Sequence, residues 1–279
     1  MLVIAYDGTL NGDWVAHYAV RLAAHAPERR LRLLHVLGEV DRSEVEERVA
    51  RIAEECDIAR VALEVELLEA AGKTVTDRLL EVIPPSKDTL LVTGTRARPR
   101  NMAFLAGTVS ARLLAKGRFP MVALRVVHPG VLGAPGRVLL PLAGHPRGAS
   151  WATPLLALFG ADLTLLHVLV VREVSRLRYR ALGVGAAERL MVEGRAFAAK
   201  VETELDQTLD LSKCAVDASV VVSDDVPKEI VLFAAKHKTR LICLGASERS
   251  VPVRLVYGNP IERVLRDAPC DVAIYRSVD

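Results

Sequence analysis

Gly94, Ala97, Gly107 and Thr108 are the residues whose types and spacing could do chemistry. They lie in LLVTGTRARPRNMAFLAGTV, residues 90–109, as Gly94-x-x-Ala97, nine residues, then Gly107-Thr108. The apolar run ending on Gly94 predicts a buried strand, and Gly107-Thr108 opens a helical pattern, Thr108 to Lys116. The first N–H groups of a helix are unpaired and its dipole is positive there, so a strand–loop–helix of this kind gathers donors at a point that attracts phosphate. Glycine lets a ligand approach the backbone closely, and Thr108 is placed as an N-cap whose hydroxyl can also bond a phosphate oxygen. The plainer reading is that the two glycines mark a strand end and a helix start. Arg96, Arg98 and Arg100 lie inside the loop, where their guanidinium forks could clamp an anion, face solvent or meet a partner protein.

The elements that must position these residues alternate between strand and helix. Leu2–Tyr6 is a short apolar run turned by Asp7-Gly8-Thr9, followed by a helix over Trp14–Ala24. Strand Leu31–Leu37, a charged helix over Ser43–Cys56 with Ser43 and Glu46 spaced as a capping box, strand Val61–Leu68 and helix Thr74–Ile83 come next. The polar–apolar alternation of Val61–Leu68 suits an edge. Met121–Val127 is a further strand, and the alternation argues for a parallel sheet with right-handed crossovers. In such a sheet ligands sit beyond the carboxyl ends of the strands, where strand order reverses. If the ends at Asp7, Val36 and Gly94 converge, a carboxylate meets ribose, the backbone near Val36 meets a base edge, and the glycine loop takes phosphates.

After the linker PGVLGAPG, residues 129–136, the pattern restarts. LTLLHV (163–168) nearly repeats LRLLHV (31–36), LICLG (241–245) repeats the strand ending on Gly94, and Gly258 falls where Gly107 did. Such a repeat defines two homologous domains, 1–128 and 137–279, the second longer in its middle by an Arg- and Glu-rich helical stretch, Arg172–Leu209. His35 and His167 hold one place in the two repeats and read as packed, hydrogen-bonded core residues. Trp14 and Trp151 likewise read as packing residues at the start of each first helix.

The spacing of Gly94, Ala97, Gly107 and Thr108 resembles the G-x-x-G-x9-G-(S/T) nucleotide-binding motif of the universal stress proteins, with Ala97 in place of the second glycine, and Gly107-Thr108-Val109-Ser110 matches its second half. The resemblance extends over the whole chain. It implies two Rossmann-like α/β domains of the adenine nucleotide alpha hydrolase type in tandem, packed as an intramolecular pseudo-dimer with Met121–Val127 and Asp271–Ser277 at the seam. It also implies an adenine nucleotide, ATP or AMP, in the first domain. The ligand residues there would be Asp7, Gly8, Thr9, Val36, Gly94, Arg96, Ala97, Gly107, Thr108, Val109 and Ser110, with Mg able to accompany a triphosphate. The second domain departs from the pattern. Ala143 replaces the aspartate, Glu248 the second glycine and Asn259 the hydroxyl, which leaves Gly245, Gly258 and Asn259 as a weaker site. Glu248 would repel a phosphate.

A net charge of +3 is too small to argue for nucleic acid or an anionic membrane by itself, and the longest apolar region, 152–171, is broken by a turn and reads as helix, turn and strand, so no membrane insertion is expected. Four cysteines without Cys-x-x-Cys spacing, and a beginning without a signal pattern, point to reduced thiols and a cytoplasmic location. No metal-ligand set is visible. No nucleophile–base pair is visible either, so the expectation is regulation or protection through binding, with at most slow ATP hydrolysis. The rival expectation is a nucleotide-independent interaction module for a transporter or metabolic enzyme, with 172–209 as its surface. Whether two chains associate into a homodimer stays open.

Overall fold

The computed structural model describes residues 1–38, 41–95, 104–105, 107–131, 133–142, 148–246 and 260–278. They form two compact units. The first comprises residues 1–134 together with 246–257 and 273–279, and the second comprises 135–245 and 258–272.

In the first unit the order is β1 (Leu2–Tyr6), α1 (Leu10–His25), β2 (Arg30–Val36), α2 (Arg42–Ala59), β3 (Ala62–Leu68), α3 (Val75–Val82), β4 (Leu90–Gly94), α4 (Val109–Lys116) and β5 (Met121–Arg125). The strands are parallel and lie side by side as β3-β2-β1-β4-β5. β1, β4 and β5 are almost continuously apolar and buried, as expected for strands covered on both faces. β3 takes the outer place in that order, where its alternation fits: Glu64 and Glu66 both pair with Arg32 of β2. Pairing of Tyr6 with His35 and of Ala5 with Thr93 brings the carboxyl ends of β2, β1 and β4 level. Two connections step outward from β1 through β2 to β3. The next jumps back to β4 on the other side of β1, so strand order reverses between β1 and β4.

The second unit runs β6 (Gly136–Leu142), α5 (Thr153–Ala157), β7 (Leu163–Glu173), α6 (Arg176–Arg180), α7 (Val184–Thr208), β8 (Ala215–Ser223), α8 (Val226–Lys236), β9 (Leu241–Gly245) and α9 (Pro260–Asp267). Its strands lie as β9-β6-β7-β8, which repeats the order β4-β1-β2-β3. β10 (Asp271–Arg276) is divided, its first two residues grouping with the second unit and the rest with the first.

Two local expectations are corrected. The cap of α2 is Asp41, whose carboxylate accepts the Ser43 N–H at 2.8 Å, and not a Ser43–Glu46 box; the aspartate intercepts the Ser43 N–H and hydroxyl before the serine can cap. The stretch 172–209 is not helical throughout. Arg172 and Glu173 finish β7, because that strand keeps pairing with β8 as far as Ser223.

Both repeated histidines are core residues. His35 Nδ1 lies 3.0 Å from the Tyr6 carbonyl, and His167 Nε2 lies 3.1 Å from Ser219 Oγ, beside Phe233 and His237. Burial lowers the pKa of His167, which favours its neutral form. The four cysteines are free; burial pushes the Cys243 thiol up to about 12 and the Cys56 thiol up to about 11, so both are unreactive packing groups.

A charge pair in the second unit gives a pH-dependent prediction. Asp225 caps α8 by accepting the Lys228 N–H at 3.1 Å and binds Arg263 of α9 at 2.8 Å. Arg263 holds the Asp225 carboxyl below the ordinary aspartate range, with the capping N–H adding to it. A depressed folded pKa contributes stability above the unfolded value and loses it as pH falls through the folded one. Asp225→Asn keeps a capping oxygen but no charge, so its unfolding midpoint should depend less on pH below about 4 than the parent's. Asp225→Ala also loses the cap, at a cost of about 1 kcal/mol. Parallel urea titrations at pH 3 to 7 test this, and identical acid limbs for Asn and parent would refute it.

Candidate functional site

The reversal point between β1 and β4 is built by two turns. After β1, Asp7-Gly8-Thr9 folds so that Asp7 Oδ1 accepts both the Thr9 N–H (3.0 Å) and the Thr9 hydroxyl (2.6 Å). Gly8 takes φ +74°, in the left-handed region that favours glycine. Thr9 then caps α1 by accepting the Gly12 N–H at 3.1 Å. One oxygen of Asp7 is thereby fixed, and its other oxygen takes no bond among the described residues. Gly12 also belongs to this site. A Cβ at position 12 would stand 2.4 Å from Asp7 Oδ1, so the carboxylate rests where only glycine leaves room. The spacing Asp-Gly-Thr-x-x-Gly was the available signal.

Behind Asp7, Tyr6 donates its hydroxyl to Asp13 Oδ1, and Asp13 pairs with Arg48 of α2 at 2.6 Å. Burial raises the Tyr6 pKa well above the ordinary phenol value, and Asp13 raises it further, which keeps the hydroxyl a donor. This chain of contacts fastens α2 to the start of α1.

After β4, the Ser110 hydroxyl donates to the Gly94 carbonyl at 2.6 Å and lies 3.3 Å from Thr93 Oγ1. Thr108 caps α4, as its place in the sequence predicts, accepting the Ala111 N–H at 3.1 Å; its own proton goes to the Leu105 carbonyl at 2.6 Å. Both hydroxyls are therefore spent on holding the turn. What the turn presents outward is backbone. Gly107 has φ +72° with nothing within 4 Å of where its Cβ would be, and the N–H groups of Gly107, Val109 and Ser110 have no acceptor among the described residues. Gly94 is close to α1: a Cβ there would meet Asn11 Nδ2 at 3.0 Å and Val15 Cγ2 at 3.1 Å. Asn11 also donates to the Thr95 carbonyl at 3.3 Å, tying the two turns together. Val36 ends β2 with its side chain buried, and the following N–H, of Leu37, is already bonded to the Leu68 carbonyl at 2.8 Å. Arg96, Ala97, Arg98 and Arg100 lie outside the described residues.

The second unit differs at the corresponding point. A Cβ on Gly245 would meet the Trp151 indole at 3.2 Å, so this ring takes the place that Asn11 and Val15 have beside Gly94. Gly148 has φ +61° and backs onto Glu204 of α7, whose carboxylate accepts the Ala149 N–H at 3.2 Å. A side-chain anion from α7 thus occupies a backbone donor after β6. Ala143, His145, Glu248, Gly258 and Asn259 lie outside the described residues.

Among the described residues no group of three or more His, Cys, Asp or Glu side chains could hold a metal, and no helix is long and apolar enough to cross a membrane.

A model of the universal stress protein family matches residues 137–276, half of the chain. The chain belongs to the universal stress protein family. The matched half is the one whose motif departs further from the pattern. Solved structures align over the whole length and share the mixed α/β fold of two sheet domains in tandem. A universal stress protein from Archaeoglobus fulgidus DSM 4304 is 16% identical with TM-score 0.63, covering 100% of this chain and 96% of that one. A functionally unknown protein from Pseudomonas aeruginosa PAO1 is 15% identical with TM-score 0.60, covering 100% and 92%. The cytoplasmic domain of a prokaryotic cation chloride cotransporter is 11% identical with TM-score 0.57, covering 98% and 94%. No curated protein matches.

Proposed function

We propose that the first unit is a second domain of the same family and binds an adenine nucleotide, ATP or AMP, at the β1/β4 reversal point, in a regulatory or protective role in the cytoplasm. The observation that carries this reading is the set of N–H groups on Gly107, Val109 and Ser110 at the start of α4, which have no acceptor among the described residues, with open space on the Cβ side of Gly107. They suit phosphate oxygens, and the helix dipole adds to them. Asp7, with one oxygen anchored and one free, suits a ribose hydroxyl. The residues therefore fit the nucleotide, with one shift of roles: phosphate falls to backbone donors, and Thr108 and Ser110 serve by shaping the turn. Gly94, Gly8, Thr9 and Gly12 make room for and orient these groups. The described residues supply no general base or nucleophile poised at the phosphate end, so the role assigned is binding. Mg would come with a triphosphate, held mainly by phosphate and water.

A second reading is favoured by one observation. The fold of this chain is shared, over nearly its full length, with the cytoplasmic domain of a cation chloride cotransporter. In the second unit Trp151 and Glu204 fill the places where a ligand would approach. An interaction module acting on a transporter or metabolic enzyme would need no nucleotide in either unit.

Denaturing the purified protein and identifying released small molecules by mass spectrometry separates the two. The nucleotide reading expects a single adenine nucleotide per chain or, if it is lost in purification, saturable binding on calorimetric titration with ATP and AMP. A flat titration with both favours the interaction module. Gly12→Ala refines the test, because it displaces the Asp7 carboxylate without removing it. Its nucleotide affinity should fall about as far as that of Asp7→Ala, roughly tenfold for one charge-assisted hydrogen bond. Unchanged affinity in Gly12→Ala would remove Asp7 from the site.

A further inference from the structure

The positive charge of this chain is not spread evenly. It carries 37 Lys and Arg against 34 Asp and Glu, a net charge of +3. Residues 174–187, VSRLRYRALGVGAA, contain Arg176, Arg178 and Arg180 and no acidic residue or lysine. This short segment between β7 and α7 therefore carries a local charge of +3. Every residue from Ser175 to Ala181 is exposed. None of the three arginines has an ion pair or hydrogen bond among the described residues, whereas Arg172, just before them, is paired with Glu193 at 2.7 Å. Between and beside them stand apolar side chains in solvent: Leu177 is 82% exposed, Val184 77% and Tyr179 42%.

We infer that this spur is a docking surface for an anionic lipid bilayer. The charge calls for an anionic partner, since three unpaired guanidiniums lose repulsion and gain phosphate contacts there. The apolar side chains choose among anionic partners. Leu177 and Val184 are both largely exposed, so a folded acidic protein would need a ready-made pocket for each. A bilayer interface yields to them, with the arginines at the phosphate level and Tyr179 suited to the headgroup boundary. The contact is peripheral, in keeping with the absence of any spanning helix among the described residues. It involves the second unit alone and does not rest on nucleotide in the first.

The test is sedimentation of the full chain with vesicles of phosphatidylcholine, with and without phosphatidylglycerol. Binding is expected only to the anionic vesicles and should weaken as salt shortens the Debye length from about 10 Å at 0.1 M to about 3 Å at 1 M. The triple variant Arg176→Gln, Arg178→Gln, Arg180→Gln should bind roughly a hundredfold more weakly, at about fivefold per arginine. Leu177→Asn with Val184→Asn should weaken binding about tenfold or more while leaving its salt dependence. These residues are exposed, so the variants should keep the parent's circular dichroism and nucleotide titration. Failure of the parent to bind anionic vesicles would overturn the inference, as would equal binding by either variant. Binding of polyglutamate without binding of vesicles would overturn it in favour of an acidic protein partner.

Discussion

Valine at position 107 should abolish nucleotide retention, with affinity falling roughly a hundredfold or more, equivalent to about 2.7 kcal/mol. Two effects act in the same direction. Gly107 has φ +72°, where a β-branched residue costs about 1–3 kcal/mol and tends to flip out of the turn that presents the α4 donors. Its missing Cβ also points into open space, the path along which a phosphate would reach those donors. Asparagine separates the two effects, because it tolerates the left-handed region yet still places a side chain in that path. Gly107→Asn should therefore retain most of the ligand-free stability and still lose nucleotide. Asp7→Ala should weaken binding less than either. Calorimetric titration with ATP and AMP, set beside thermal unfolding without ligand, gives both quantities. Binding by Gly107→Asn equal to that of the parent would remove the α4 turn from the site.

Arg276→Met should lower stability by about 3 kcal/mol or more, the largest loss expected from any single replacement considered. Arg276 is 8% exposed and reaches three main-chain carbonyls of the first unit: Leu114, Gly117 at 2.5 Å and Phe119 at 3.0 Å. Leu114 and Gly117 belong to the last turn and cap of α4, where unpaired carbonyls gather the negative end of the dipole. Methionine fills similar space but strands all three acceptors, each costing roughly 1 kcal/mol or more. Lysine restores the charge and not the fork, so it should recover only part of the loss. Gly117 belongs to the same arrangement, since a Cβ there would stand 3.0 Å from Arg276 Nη2 and 2.9 Å from Phe119 Cε2. Because α4 carries the proposed phosphate donors at its other end, Arg276→Met should also weaken nucleotide binding, though less than Gly107→Val. Urea unfolding measures the first effect, and a change below about 1 kcal/mol would show that the carbonyls find water or other partners.

Much of this was legible in the sequence, for identifiable reasons. Parallel central strands read as continuous apolar runs, so β1, β4 and β9 stood out, and the acidic alternation of Ala62–Leu68 marked it for an outer place. The Leu-Leu-His-Val repeat disclosed the doubled organisation because both copies occupy the same strand and bury the same histidine. Thr108 was readable as a cap because capping is local. Other features depended on contacts distant in sequence. That the Thr108 and Ser110 hydroxyls are spent on Leu105 and Gly94 follows from how the turn closes, not from the motif. Trp151 matches Trp14 in the sequence repeat, yet in space it serves beside Gly245 as Asn11 and Val15 serve beside Gly94. Glu204 reaches the loop after β6 from α7, the counterpart of α2, more than 50 positions along the chain. Arg276 gave no signal, because its acceptors are bare carbonyls more than 150 positions away.

That distance sets an order of events during synthesis. Strands β1 to β5 and helices α1 to α4 have all been synthesised by Ala134, but the part of β10 that belongs to the first unit, with the guanidinium that closes α4, follows about 140 residues later. At about 5–20 residues per second this is on the order of 10–30 s, during which the nascent first unit can gather its sheet but not finish that helix. A transcript broken downstream of the linker, or a product clipped between Gly245 and Arg276, would release a chain with every residue of the proposed nucleotide site and a loose helix beneath them. Synthesis of the chain as far as Arg276 is thereby coupled to the competence of a proposed site whose own residues are made long before it.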